Sequence, residues 1–248
     1  MNLLAVLTYH SLDASGSVVS VTPEAFAAQM STLAEAGFRG VSLREAVAHR
    51  ETRGVWPERS VALTFDDGYA NFYEVAAPEI ARRGFTATIF VVSGHVGGRN
   101  DWAPPPAGLG SLQTLSWSQL AELSSAGIEI GAHTRTHKDL RELSAPEAQD
   151  EINGSRAEIE DHLGRSVETF AYPFGYISHA SLEIVRRDFR AACTTVLRRA
   201  GEEPLHELPR VDMYYLRSPR RLALLLEGRL DRYLTVRRLA RSVRSAVM

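Results

Sequence analysis

In Val61-Ala62-Leu63-Thr64-Phe65-Asp66-Asp67-Gly68, a run of apolar and β-branched residues passes without interruption into two adjacent carboxylates and a glycine. The run predicts a buried strand over residues 61–65. In an α/β barrel the exits of the parallel strands build the mouth, so carboxylates at a strand exit stand where such folds keep their chemistry. Neighbouring side chains on a strand face opposite ways, which lets Asp66 and Asp67 do two jobs, one holding a metal and the other acting on its water. An ordinary strand-to-helix turn, with Asp67 and Gly68 supplying turn chemistry, also fits these residues.

Outward from that strand the chain alternates short apolar runs with longer amphipathic stretches, the mark of an α/β protein with a mainly parallel sheet. Strands are expected at 3–9, 39–41, 61–65, 86–91, 128–132, 169–172 and around 191–194, and about seven strands suit a barrel. Helices are expected at 23–36, 43–49, 71–83, 118–126, 146–163 and 181–187. Thr22 before Pro23 reads as an N-cap with proline in the first turn, and Gly37, Gly84, Gly127 and Gly164 stand where C-caps belong. Gly97, Gly98, Pro104, Pro105, Pro106, Gly108 and Gly110 make 94–115 a long surface loop, a kind of segment that is often functional. One domain, 1–216, is followed by an arginine-rich amphipathic helix, 217–248.

With 248 residues and 44% hydrophobic composition, the chain can bury a sizeable core, which excludes disorder, collagen and coiled-coil fibres. A formal charge of −2 provides no basic field for a nucleic acid backbone. Cys193 is the only cysteine, so an intramolecular disulfide and a cysteine-based zinc cluster are excluded, and a metal would need His, Asp or Glu. The run 3–9 is too short for a signal peptide and lacks a basic residue before it; with no membrane-length apolar stretch, the expected compartment is the cytoplasm.

His133-Thr134-Arg135-Thr136-His137 follows the strand expected at 128–132. Two imidazoles four apart converge on one ion if the segment forms a helical turn; the pair alone is a weak signal. With Asp67 it completes a two-histidine, one-carboxylate set that leaves room for water, the arrangement of hydrolytic zinc sites. A third strand exit carries Phe170-Ala171-Tyr172-Pro173-Phe174-Gly175.

These three motifs, in this order and spacing, resemble the polysaccharide deacetylases of carbohydrate esterase family 4 over residues 3 to about 213. The resemblance implies a distorted (β/α) barrel and metal-dependent hydrolysis of N-acetyl groups on sugars. It assigns Asp67, His133 and His137 to one divalent metal, usually zinc, Asp66 to the general base, and the Phe174 backbone N–H, beside Pro173, to the oxyanion position. Most of the family has arginine two residues before the turn proline, where it orients the base; here Ala171 stands there. Arg210, in Leu208-Pro209-Arg210, can reach the site from another strand or be a surface arginine.

The family usually takes its general acid from a Leu-x-His motif near the C-terminus. His206 follows Leu205 but would sit at a strand entrance, the wrong end of a barrel, whereas His10 stands at the exit of the first strand. First and last strands of a closed barrel are neighbours, so a permuted chain can deliver the same histidine from its N-terminus. Leu7-Thr8-Tyr9-His10, Pro23-Glu24-Ala25-Phe26 and Ala36-Gly37-Phe38 resemble the permuted branch that deacetylates poly-N-acetylglucosamine, which implies a role in exopolysaccharide biosynthesis and favours His10 as the acid.

Tyr69 abuts the aspartates and is placed to line the cleft; Trp102 stacks on a sugar or pins its own loop; Trp117 packs. His49, His95, His162 and His179 show no convergent partner. In the tail, nine arginines flank a stripe of Leu222, Leu226, Leu230, Tyr233, Val236, Ala240, Val243 and Val247. That pattern suits peripheral contact with the inner face of a membrane, near a lipid-linked sugar precursor, or a helix laid on the barrel wall. The expected partner is an N-acetylated glycan or lipid-linked sugar and not a nucleic acid. Two alternatives stay open: an amidohydrolase for a small cyclic amide or ureide, and a catalytically silent glycan-binding module.

Overall fold

The computed structural model describes residues 2–102 and 106–247, the side chains of 241–247 excepted. Strand β1 (Ala5–Tyr9) leads to two short strands, β2 (Ser11–Leu12) and β3 (Ser20–Val21), and then to α1 (Pro23–Glu35), β4 (Arg39–Val41) and α2 (Leu43–Arg53). From there β5 (Ser60–Phe65), α3 (Ala77–Arg82), β6 (Thr88–Val91), α4 (Trp117–Ser125), β7 (Glu129–Ala132), α5 (Ala145–Leu163), β8 (Thr169–Ala171), α6 (His179–Asp188) and β9 (Ala191–Leu197) alternate. The order ends with β10 (Leu208–Asp212), α7 (Pro219–Leu226) and α8 (Asp231–Val247). Seven strands close a parallel ring, β1-β10-β9-β8-β7-β6-β5, sealed where β1 lies against β5 from Ala5↔Val61 to Tyr9↔Phe65. This is the distorted (β/α) barrel expected.

Alternation along the strands sorts apolar residues into two cores. Val6, Ala62, Phe90, Ala171 and Cys193 fill the barrel with Leu43, Ala46 and Val47 of α2, while Leu7, Leu63, Ile89 and Val91 join the outer core with Phe26, Met30 and Leu33 of α1. Seven strands enclose little volume, so small residues dominate inside. A Cβ on Gly131 would come within 2.6 Å of the Phe90 ring. Helix α2 stops the strand-entry end: its Leu43 N–H donates to Thr88 Oγ1 at 2.8 Å and its Arg44 N–H to Glu129 Oε2 at 2.9 Å, both at the first residues of strands. Only the opposite end is left to form a mouth.

The structure corrects several expectations. The strand at 39–41 is not in the ring: β4 pairs only with the first half of β5, whose second half pairs with β6. The seventh member is β10, disguised by Pro209, which cannot donate to a ladder, and by a register shift against β9. The helix at 71–83 opens as a π-helical turn, Phe72–Ala76, because Pro78 has no N–H to give the Glu74 carbonyl. Helix α2 continues past residue 49 to Arg53 and ends on Gly54 at φ 74°. Within 94–115, Arg99 pairs with Gln113, and Leu109 and Leu115 are buried, so the loop is partly tied down; Pro104 and Pro105 lie outside the described residues.

The tail is two helices, broken at Gly228 (φ 73°), rather than one. Leu222, Leu225, Leu230 and Leu234 enter the outer core, whereas Val236 is 66% exposed; the side chains of Val243 and Val247 lie outside the described residues. Leu225 and Leu226 adjoin Leu3 and Ser60, and Asp231 pairs with Arg199 at 2.6 Å, so the tail packs at the strand-entry rim, away from the mouth. Among the described residues no helix is long and apolar enough to cross a membrane.

Candidate active site

Strand exits bring His10, Asp66, Asp67, His133, His137 and Phe174 around one cavity of about 170 Å³, with Tyr69, Trp102, Pro106, Val19, Asn100 and Thr195 completing the wall. Among the described residues five non-glycines have positive φ, and four of them are Asp67 (72°), Thr134 (64°), His137 (56°) and Phe174 (59°). Each costs about 1–2 kcal/mol in an L-residue, so backbone strain is concentrated here.

Asp67 Oδ1 lies 3.5 Å from Nε2 of both His133 and His137, and the ligand atoms of the three residues fall within 4.8 Å of one another. That carboxylate oxygen is buried with no hydrogen-bond partner. An orphaned anionic oxygen between two imidazole nitrogens can hold a divalent cation, and the chemistry of these donors suits zinc. His133 Nδ1 donates to the Ala171 carbonyl at 2.7 Å, which turns its Nε2 lone pair toward the cluster. Burial opposes ionisation of Asp67, yet the neighbouring imidazoles of His133, His137 and His10 hold its carboxyl well below the usual range. Burial pushes His137 down to about 4, leaving it a neutral ligand at neutral pH. His133 moves the other way, because the adjacent Asp67 and Asp66 carboxylates outweigh burial.

The 133–137 segment is not a helical turn. It is a bent loop closed by the His137 N–H donating to Thr134 Oγ1 at 3.0 Å. Glu151 of α5 holds it from behind: its Oε2 accepts the N–H of Arg135 at 3.0 Å and of Thr136 at 2.9 Å, and its Oε1 accepts the Thr136 hydroxyl. Glu151 was not singled out from sequence, although one signal was present. It is a carboxylate on the buried face of α5 with Ala148, Ile152, Ser155 and Ile159.

Asp66 points into the barrel, where Arg210 forks onto it: Nη1 to Oδ1 and Nη2 to Oδ2, each 2.7 Å. Both side chains are almost fully buried, at 3% and 2% exposure, which excludes a surface arginine. Arg210 Nε donates to the Thr194 carbonyl at 2.8 Å, fixing the fork. Burial would raise the Asp66 carboxyl, but the Arg210 charge prevails and lowers it. The guanidinium that Ala171 lacks thus arrives from β10. His10 Nε2 lies 3.7 Å from Asp66 Oδ2, whereas His206 Nε2 bonds the Phe189 carbonyl at 2.9 Å, outside the cavity.

Pro173 is buried and Phe174 is 46% exposed; the turn is tied to β9 by the Thr195 hydroxyl donating to the Phe174 carbonyl at 3.0 Å, so closely that a Cβ on Gly175 would stand 2.2 Å from Thr195 Oγ1. The Tyr69 phenol faces Asp67 and Asn100, and burial with the Asp67 charge keeps its proton on. Trp102 lies 5.4 Å from the His137 ring and meets His95 edge-on at 5.1 Å. His95 therefore does have partners, with Asp101 Oδ1 2.9 Å from its Nδ1, and His162 stacks on Trp117 at 3.9 Å.

Residues 53–188 match the polysaccharide deacetylase family. The poly-beta-1,6-N-acetyl-D-glucosamine N-deacetylase of Staphylococcus aureus (strain MRSA252) is 27% identical over 177 residues, 68% of this chain and 58% of its own. YxkH of Bacillus subtilis (strain 168), named for polysaccharide deacetylase, is 27% identical over 184 residues, 74% of this chain and 61% of its own. The chain thus spans about three fifths of the length of these curated relatives. Among solved structures, IcaB from Ammonifex degensii superposes with a TM-score of 0.74 at 26% identity, covering 92% of this chain and 97% of that one. The Streptococcus pyogenes deacetylase PplD in complex with acetate gives 0.77 over 90% of this chain and 96% of that one; at 24% identity this is a likeness of fold.

Proposed function

The chain belongs to the polysaccharide deacetylase family, and we propose that it hydrolyses N-acetyl groups of an N-acetylhexosamine in a glycan or glycan precursor, with one divalent metal, zinc, as cofactor. The observation that carries this reading is the pairing of Asp66 with Arg210 on one side and His10 on the other, directly beside the Asp67, His133 and His137 cluster. When bound by those three residues, the metal supplies Lewis-acid polarisation of the acetyl carbonyl and a lowered pKa for water. Asp66, held anionic and oriented by the Arg210 fork, takes the proton of the attacking water. The Phe174 backbone N–H faces the carbonyl oxygen as its negative charge develops. His10 gives a proton to the nitrogen as the C–N bond breaks, so acetate and the free amine leave. Tyr69 and Trp102 wall the cavity and limit water around the reacting amide.

Ala171 argues for a silent binding module only while the base lacks its arginine, and Arg210 removes that reason. The S. aureus relative's name points to a β-1,6-linked N-acetylglucosamine polymer. Acetate release should be measured on β-1,4- and β-1,6-linked N-acetylglucosamine oligomers and on cyclic ureides, with chelator and with zinc added back. Chelator-sensitive release from the sugars alone is expected. Turnover of ureides but not sugars, or no turnover by a folded, zinc-bearing chain, would refute the proposal.

A further inference from the structure

Helix α8 carries two apolar faces, and the barrel covers one of them. Leu234 is buried and packs into the outer core beside Leu230. Val236, 66% exposed, and Leu239, 59% exposed, are the two most exposed large apolar side chains among the described residues. They stand two and five positions beyond Leu234, which at 3.6 residues per turn is the far side of the helix. Arg232, four residues before Val236, shares that outer face and is itself exposed. A face that met only water would carry polar residues there without loss to the core.

Charge is distributed as unevenly as exposure. Nine arginines against Glu227 and Asp231 give the tail a net charge of +7, which leaves −9 on residues 1–216 of a chain whose formal charge is −2. Both tail carboxylates are already paired, Asp231 with Arg199 at 2.6 Å and Glu227 with Arg229 at 3.0 Å. Among the described residues Arg220, Arg221, Arg232 and Arg237 form no ion pair. Arg221 and Arg237 instead lie 5.2 and 5.3 Å from the Tyr233 ring centroid, which leaves their charge uncancelled.

An occupant of the outer face must accept apolar side chains and uncancelled arginines together. A second copy meeting it face to face would bring two tails of +7 into contact, and like charges oppose that pairing. Anionic lipid offers acyl chains beneath a layer of phosphates and meets both demands. We propose that the outer face of α8 docks the protein on an anionic lipid bilayer, with Val236 and Leu239 entering the acyl boundary and the arginines of α7 and α8 supplying the attraction to phosphate. The tail packs at the strand-entry rim, so the mouth at the opposite end stays open.

The test sediments the full chain with vesicles of phosphatidylcholine alone or with about 30% phosphatidylglycerol. The wild type should bind the anionic vesicles at least about 10-fold more tightly, and lose that preference as salt rises from about 0.05 to 0.5 M. Arg232→Ala should weaken binding about 5-fold. Val236→Asp with Leu239→Asp should weaken it about 10-fold or more at unchanged Tm, because neither side chain belongs to the core. The added emission of Leu239→Trp should be quenched by brominated acyl chains, which charge attraction alone would not produce. Binding that is absent, indifferent to lipid charge or unchanged in the aspartate variant overturns the proposal, as does a tryptophan at 239 that stays unquenched. Self-association of the free chain in sedimentation velocity, abolished by the same aspartates, would assign the face to a second copy and overturn it too.

Discussion

Arg210→Met would leave Asp66 ionised, almost fully buried and deprived of both 2.7 Å hydrogen bonds, with His10 at 3.7 Å as its remaining ionisable neighbour on that oxygen. Methionine fills much of the arginine's volume, so the loss is electrostatic rather than a cavity. Breaking a buried pair by removing one partner costs about 3–5 kcal/mol. In a chain of this size that lowers Tm by roughly 6–20 °C. The pH dependence has a definite sign. In the wild type the Asp66 carboxyl is lowered by Arg210 against burial, so its contribution is present above the ordinary aspartate range and fades as pH falls through the folded value. Without Arg210, burial dominates and the folded value rises above the unfolded one, so ionisation opposes folding. The gap between wild type and variant should therefore be widest near pH 7 and narrow toward pH 4. Calorimetry of chelator-treated proteins across that range measures it, with Arg210→Lys, which keeps the charge but not the fork, falling between. A Tm difference under about 2 °C at pH 7, or one independent of pH, would show that Arg210 does not hold Asp66 ionised.

Glu151→Gln should weaken zinc binding about 10- to 100-fold by loosening the loop that carries His137, measured by competition with a chromogenic chelator; an unchanged affinity would make Glu151 a bystander. His10→Ala should cost about 10²- to 10⁴-fold in turnover while zinc content stays constant, and His206→Ala should stay close to wild type; exchanged phenotypes would reassign the acid. Burial raises the Glu129 carboxyl despite its bonds to Thr88, the Arg44 N–H and Thr169, so wild-type stability should grow as pH falls through that folded value. Glu129→Gln should flatten that slope in urea titrations, and an identical slope would exclude Glu129 as its source. Truncation after Leu216 removes four buried leucines, Leu222, Leu225, Leu230 and Leu234, from the outer core, each worth at most about 1.5–3 kcal/mol, so the shortened chain should be severely destabilised. An unaltered Tm would detach the tail from the fold.

Local pattern was enough to place Asp66, Asp67, His133 and His137 at strand exits, because an apolar run ending in a polar motif carries both the strand and the point where it leaves the sheet. Alternation also suggested that the two aspartates face different ways, but both lie beyond the end of β5, and Asp67 sits in a turn at φ 72°. Which strand lies beside which is a property of closure. Arg210 reaches Asp66 across 144 residues because β10 fits between β9 and β1, and Pro209 hides that strand from any count of apolar runs. The same closure brings His10 to the mouth and leaves His206 outside the cavity. The spacing of His133 and His137 suggested a helical turn, yet they converge through positive φ and the grip of Glu151, from a helix packed behind the loop. The break at Gly228 and the burial of the tail's leucines follow from which surface lies nearest, and an arginine-flanked stripe looks the same whether it meets a barrel wall or a bilayer.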